Sequence, residues 1–389
     1  MTHQTACSKS WTDININFKK RKLGHCCAST YHDMPKVLTH DYFDNNIRIQ
    51  QRRQDTLDGI QHSDCNACWQ DINQGIPTLK DLGGEWDNFS NVKPDVPQVN
   101  YIEMELDNIC DLSCLYCWPE HSSKIAQEEG EYVENKTTQQ DIDIYKEWLK
   151  ATVENSKHPI DIAFLGGEPT ASKLFYEMIE FIAKLDCDNI TIQVTTNGNT
   201  KPHLFKKFTD VLDKSTCSWI IHVSNESKKD DSRLIRYGLE WDRFESNLRS
   251  YAQHPKVQKL LFDVAMNAVA LPTFPEYMTW VHDVMSEYDK PFTVGGSNVN
   301  NPQELNVSIL HKSFKKYIEQ AEQIIEQRPL PNRIRKDKIL KFFNRIKKRI
   351  GSNYKENYET IIREFLEQKQ VYKKTNELVH LAEKVKNVS

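Results

Sequence analysis

No stretch of the 389 residues approaches the roughly 20 consecutive apolar positions of a membrane span. The opening MTHQTACSKSWTD lacks the apolar core of a signal peptide, so the sequence reads as cytoplasmic. No sign of charge dominates. Lys and Arg number 51, Asp and Glu 55, and the net charge of −4 gives no global reason to expect nucleic acid or a membrane as partner. Internal repeats and long low-complexity tracts are lacking too. Beyond residue 117 cysteine almost disappears, with only Cys187 and Cys217 left; both read as ordinary core or surface thiols.

What is present is uneven. Eight of the ten cysteines fall within the first 117 residues. Without a secretory signal, such crowding points to metal or redox chemistry rather than a disulfide framework. Residues 1–98 are cysteine-rich and irregular and end in NFSNVKPDVPQ, which reads as a linker. Residues 99–300 alternate between strand and helix patterns. VNYIEMEL, IDIAFLG, ITIQVTT, WIIHVS, LLFDVAMNAVAL and PFTVGG are the strands, and amphipathic segments lie between them. Repeated strand–helix units imply a parallel sheet. Six units predict an α/β fold built as a partial (βα)6 TIM-like barrel, with chemistry at the C-terminal strand ends. Residues 301–389 read as a helical C-terminal extension.

Within that extension, 331–350 carries nine Lys and Arg against one Asp. Ile334, Ile339, Leu340, Phe342, Phe343 and Ile346 interleave with the charges. One reading is an amphipathic helix lying on the barrel with its charges in water. The other is a site for an anionic partner such as RNA or an acidic peptide.

CDLSCLYC, Cys110 to Cys117, follows the first barrel strand directly. A cluster of four irons ordinarily takes four cysteines, so Cys110, Cys114 and Cys117 would leave one iron open. A structural zinc site wants four closed ligands, and His121 is the nearest candidate for the fourth. The second strand ends in Gly166-Gly167-Glu168-Pro169: two glycines allow close backbone approach, and a carboxylate pairs with an ammonium group. The third ends in TTNGN, Thr195 to Asn199, and the fourth in HVSNES, with Ser224 at its end and Glu226 two residues on. Arg236 follows. LGGEW at Gly83-Gly84-Glu85 repeats the GGE letters but follows no strand, so it reads as a turn.

Farther upstream, WTDININF alternates as a strand, and KKRKLGHCC is expected to turn back at Gly24. Cys7 and the Cys26/Cys27 pair would then flank a hairpin. Neighbouring strand residues point to opposite faces, so only one of Cys26 and Cys27 should be a ligand. Cys65 and Cys68 add a C-x-x-C pair, which completes a set of four thiolates. Four thiolates suit a 4Fe–4S cluster, with a structural zinc as the second candidate. His25, beside the cysteines, reads as structural.

CX3CX2C with Tyr116 before the last cysteine resembles the signature of the radical S-adenosylmethionine (radical SAM) superfamily. The resemblance implies that Cys110, Cys114 and Cys117 hold a 4Fe–4S cluster whose remaining iron binds S-adenosylmethionine. Reductive cleavage would yield a 5′-deoxyadenosyl radical that abstracts hydrogen from a substrate, with the hard chemistry belonging to the cofactor. Gly166, Gly167, Glu168 and Pro169 resemble the family's GGEP motif, which holds the SAM amino group. Tyr116, Thr195, Asn197 and Ser224 match positions near the cofactor, and Arg236 is a candidate for the SAM carboxylate. The fifth strand would pass its backbone along the adenine. Many members have an aspartate where Glu226 stands.

The N-terminal cysteines resemble the SPASM/twitch auxiliary-cluster modules, here placed before the barrel rather than after it. Cys7, Cys26, Cys65 and Cys68 would hold the second cluster, with Cys27 as the substitute for Cys26. Relatives with such modules often modify peptides or proteins, so a peptide or protein substrate is expected, and RNA or a small molecule is the alternative. A reductant such as flavodoxin or ferredoxin is the implied partner. The competing class is a non-enzymatic zinc-binding scaffold with degenerate motifs.

Overall fold

A computed structural model describes residues 7–35, 37–39, 41–76, 78, 99–185, 189–288, 290–328 and 335–386. Gly83-Gly84-Glu85, Cys187 and Ile334 lie outside the described residues. The chain falls into two compact units. The first comprises Met1–Asp107, Glu134–Val194 and Val211–Trp219; the second comprises Asn108–Val133, Thr195–Asp210 and Ile220–Ser389.

In the first unit β1 (Asp13–Asn17) pairs antiparallel with β2 (Lys22–Gly24), and β2 pairs antiparallel with β3 (His32–Asp33). On its other side β1 runs parallel to β4 (Tyr101–Glu105). β4 runs parallel to β5 (Ile160–Leu165), and β5 to β6 (Ile190–Thr196). The hairpin turn differs from the sequence expectation. Asn17 faces Lys22 and Asn15 faces Gly24, so Gly24 sits inside β2 and the chain reverses before it. Arg21 takes the left-handed conformation there, with φ 51°.

One face of β4, β5 and β6 is apolar through Ile102, Met104, Ile160, Ile162, Phe164, Ile190, Ile192 and Val194, all buried. Period-2 alternation puts these on one side and Tyr101, Glu103 and Asp161 on the other. The helix Gln139–Asn155 starts with a capping box between Thr138 and Asp141 and buries Tyr145, Trp148 and Leu149. The Tyr145 ring lies 4.3 Å from Phe18, and Trp148 lies 5.7 Å from Phe43. The helix Lys173–Ile182 sends Phe175 to within 5.2 Å of Phe164. Each such apolar side chain contributes roughly 1.5–3 kcal/mol on burial.

The second unit contains β8 (Val257–Met266) and β9 (Phe292–Asn298), which run parallel from Leu260↔Phe292 to Met266↔Asn298. β7 (Ser218–Ser224) neighbours β8 in the strand order. Helices Trp241–Gln253 and Phe274–Ser286 meet through Trp241 and Trp280, whose rings are 4.9 Å apart. β4 to β9 with their intervening helices follow the element order of a partial (βα)6 TIM-like barrel, an α/β fold.

After β9 the described chain contains only helices, among them Lys315–Gln327, Lys336–Arg349 and Tyr358–Lys373. The basic helix Lys336–Arg349 packs on β9. It buries Ile339, Phe342, Phe343 and Ile346, while Leu340 is half-buried. Phe343 meets Phe274 at 5.7 Å, and Lys347 pairs with Glu322 at 2.7 Å. The interleaved apolar residues therefore serve packing. Among the described residues no helix is long and apolar enough to cross a membrane.

Candidate functional site

The cysteine loop leaves β4 and is pinned by its apolar residues. Leu112 and Leu115 are buried beside the thiols. Ser113 and Leu115 donate their backbone N–H groups to the carbonyls of Tyr237 and Ile235, both at 2.9 Å. Ser122 Oγ donates to Leu112 O at 2.7 Å, and Cys110 N donates to Ser123 Oγ at 3.1 Å. From the end of the chain, Lys373 reaches Ser113 O at 2.5 Å and Ser113 Oγ at 2.6 Å. Burial pushes the Cys114 thiol up to about 12, although Arg236 pulls the other way. His121 packs edge-on against Trp118 at 4.8 Å.

The TTNGN segment is tied to this loop. Asn197 Nδ2 lies 3.9 Å from Cys110 Sγ and donates to Asp111 Oδ1 at 2.9 Å. Asn199 Nδ2 donates to the other Asp111 oxygen at 2.9 Å, and its Oδ1 accepts from Glu240 N. Thr195 is half-buried. Asp111 and Asn199 were not singled out from sequence. The only available signal was their place inside the two motifs.

Tyr116, Glu226 and Arg236 form one group. Arg236 Nη2 and Nε donate to Glu226 Oε2 at 2.7 and 3.1 Å. The Tyr116 hydroxyl donates to Glu226 Oε1 at 3.1 Å, and the Arg236 guanidinium lies 5.6 Å from the Tyr116 ring centre. Burial alone would pull the Arg236 guanidinium down, but Glu226 foremost, together with Tyr116 and Cys114, raises it well above its ordinary value. Ser224 is half-buried at the end of β7. In this arrangement Arg236 is held by Glu226.

Within the first unit the GGEP bend sits against the end of β4. Gly166 has φ +139°, and a Cβ there would meet Asp107 O at 2.7 Å. Gly167 N donates to Asp107 O at 2.8 Å. Glu168 is 1% exposed, and its Oε1 accepts from Thr170 Oγ1 at 2.6 Å and Thr170 N at 3.2 Å. Pro169 opens the short turn that follows. Glu168 thus caps its own bend with the carboxylate turned inward.

Four N-terminal thiols line one small cavity: Cys7, Cys26, Cys65 and Cys68, together with His25 and Thr56. Cys65 Sγ lies 3.6 Å from His25 Nε2. Cys65 precedes the helix Asn66–Asn73, and Cys68 lies in its first turn. Cys27 is exposed and does not line this cavity; it and Cys26 lie in a bend and turn past the end of β2, so strand alternation does not decide between them. Burial pushes Cys7 and Cys26 up to about 11 and Cys65 up to about 12, with neighbouring thiols adding to the shift in Cys7 and Cys65. Cys217 is a core thiol, 2% exposed. Among the described residues no three or more Cys, His, Asp or Glu side chains converge tightly enough to hold a metal ion. What fits a soft metal is the donor set, four thiols around one cavity and three on one loop.

No family model matches the chain. Among curated proteins it is 30% identical over 144 residues to molybdenum cofactor biosynthesis protein 1 of Dictyostelium discoideum, covering 37% of this chain and 20% of that protein. Among solved structures it is similar to Streptococcus suis SuiB bound to its precursor peptide SuiA, with 14% identity, TM-score 0.43, and 74% of this chain and 52% of the other covered. SuiB bound to S-adenosylmethionine gives 14% identity and TM-score 0.42, over 74% and 59% of the two chains. The CX3CX2C loop after β4, the GGEP bend after β5 and the TNG segment after β6 follow one another in the element order of a partial (βα)6 barrel, and this chain spans about a fifth of the curated relative it matches.

Proposed function

We propose that the chain cleaves S-adenosylmethionine reductively at a 4Fe–4S cluster held by Cys110, Cys114 and Cys117. The observation that carries this reading is the fixed cysteine loop, with Asn197 of the TNG segment beside Cys110 and bonded to Asp111. When bound, the cluster supplies the electron that releases a 5′-deoxyadenosyl radical from SAM. The chain's own residues bind and orient. Tyr116, Gly166, Gly167, Glu168, Pro169, Thr195, Asn197 and Ser224 are assigned to SAM, with Arg236 held behind Tyr116 by Glu226. Glu168 would have to share its carboxylate between Thr170 and the SAM ammonium group.

The cavity of Cys7, Cys26, Cys65 and Cys68 is assigned to a second 4Fe–4S cluster, with zinc as the alternative. A peptide or protein is the substrate class this auxiliary module favours.

Anaerobic reconstitution with iron and sulfide tests both assignments. A brown protein with about eight irons per chain that forms 5′-deoxyadenosine under dithionite supports them. Alanine at Cys110, Cys114 or Cys117 should abolish cleavage. Alanine at Cys65 and Cys68 should remove about half the iron and spare SAM cleavage. A colourless zinc protein that leaves SAM intact would overturn the reading.

A further inference from the structure

A larger cavity, of about 280 Å3, adjoins the four-thiol cavity in the first unit and shares His25 with it. Its apolar wall includes Trp11, Ile14, Phe43 and Ile49, and its polar wall includes Arg48, Arg52 and Arg53 together with the carboxylates Asp13 and Asp33, which pair with Lys9 and Lys22. The three arginines come from one helix, Ile47–Asp58. Two of them have firm partners. Arg48 donates to Asp64 at 2.7 and 3.3 Å, and Arg53 donates to Ser10 O at 2.9 Å with Asp44 at 3.5 Å.

Arg52 differs. It is 3% exposed, and its Nε has no hydrogen-bond partner. Its nearest carboxylate, Asp64, is 3.8 Å away and already accepts from Arg48 and pairs with His32 at 3.2 Å. His25 is 4% exposed, and its Nδ1 also has no partner. A guanidinium buried without a bonded counter-charge is costly, and one with an oxyanion is not. Two unmet polar groups on one cavity, each more than nine-tenths buried, describe a ligand site rather than a packing fault.

We propose that this cavity binds a small oxyanion, a carboxylate or a phosphate monoester with a compact apolar body, held by Arg52 and His25. The apolar wall takes the body, and the guanidinium takes the charged end. His25 meets the ligand at Nδ1 while Nε2 faces Cys65, so the site borders the four-thiol cavity. The inference does not depend on radical chemistry, and the reading of the SAM site can fail without it.

Calorimetric titration of the full-length protein with benzoate and with phenyl phosphate tests the proposal and separates its two ligand classes. Saturable binding of one of the two is expected, weakened at least about tenfold in Arg52→Gln, the loss of one charge-assisted pair. Should Arg52→Gln fail to fold, Ile49→Trp narrows the cavity and keeps the charge; it should bind more weakly, and unchanged binding would overturn the site. No binding of either anion to the native chain overturns it as well. So does an Arg52→Gln chain that binds as the native does but retains less iron, because Arg52 would then serve the thiolates alone.

Discussion

Arg236 and Glu226 form a buried ion pair, 2.7 Å apart, with 6% and 0% of their side chains exposed. Removing one partner of such a pair leaves a charge stranded away from water, which typically costs about 3–5 kcal/mol. Glu226→Ala is therefore expected to lower stability to urea by that order. Replacing both residues, Glu226→Leu with Arg236→Met, should recover much of the loss. A single-substitution cost under about 1 kcal/mol, the range of exposed pairs, would show that the pair is open to water.

Lys373 supports the cysteine loop from far along the chain. Its ammonium group donates to Ser113 O and Ser113 Oγ and lies 3.6 Å from Glu128. Lys373→Met keeps the apolar stem and removes the charge. Losing these bonds is expected to cost roughly 1–3 kcal/mol. The Ser113 and Leu115 amides should exchange faster with deuterium, whereas those of β8 should not. Unchanged exchange at Ser113 and Leu115 would mean that the backbone bonds to Tyr237 and Ile235 hold the loop unaided.

Gly166 is required by its backbone. Alanine there would force a Cβ to 2.7 Å from Asp107 O at φ +139°. Gly166→Ala should destabilise by about 1–3 kcal/mol, read as a lower thermal midpoint. Gly295 is the control, since a Cβ there meets nothing within 4 Å. Equal midpoints for the two variants would sink the argument.

Glu103 sets a pH dependence. Burial pushes its carboxyl up from 4.5 to about 7, against hydrogen bonds from Tyr101 and Asn15 and the charge of Lys9. A carboxyl raised in the folded state favours folding below its unfolded value of about 4.3. That stability is lost as pH climbs through about 7. Glu103→Gln keeps the Asn15 hydrogen bond and removes the titration. It should outlast the native chain in urea near pH 8 and match it near pH 4, about the two ends of the titration. Equal curves at both ends would show that Glu103 does not carry a raised value.

The cysteine loop was legible because its signal is local, a matter of residue type and spacing within a few positions. The strands and the Gly-Gly-Glu bend were legible for the same local reason. What stayed hidden joins residues far apart. Tyr116 meets Glu226 across 110 positions, and Lys373 meets Ser113 across 260. No periodicity marks such pairs. The hairpin was misplaced because Gly24 is the usual signal for a reversal, yet strand pairing put it inside β2. Arg21 then took the left-handed turn, at a cost that sequence preferences argue against. Arg52 was invisible for another reason: nothing in its neighbourhood says that its charge is buried.

The placement of β1 between β2 and β4 also bears on how the chain is made. Asn15 of β1 bonds to Glu103 of β4, 88 positions later. On the ribosome, β1 can fold back on β2 at once but must wait for β4 with one edge bare. Such an edge is an invitation to pair with other chains. Asn15 and Asn17 make one face of the waiting strand polar, which lowers that hazard until Glu103 and Glu105 arrive to accept from them. Strand β1 thus keeps one edge unpaired until residues 101–105 have been made, and slow or interrupted translation between residues 18 and 100 would lengthen its exposure.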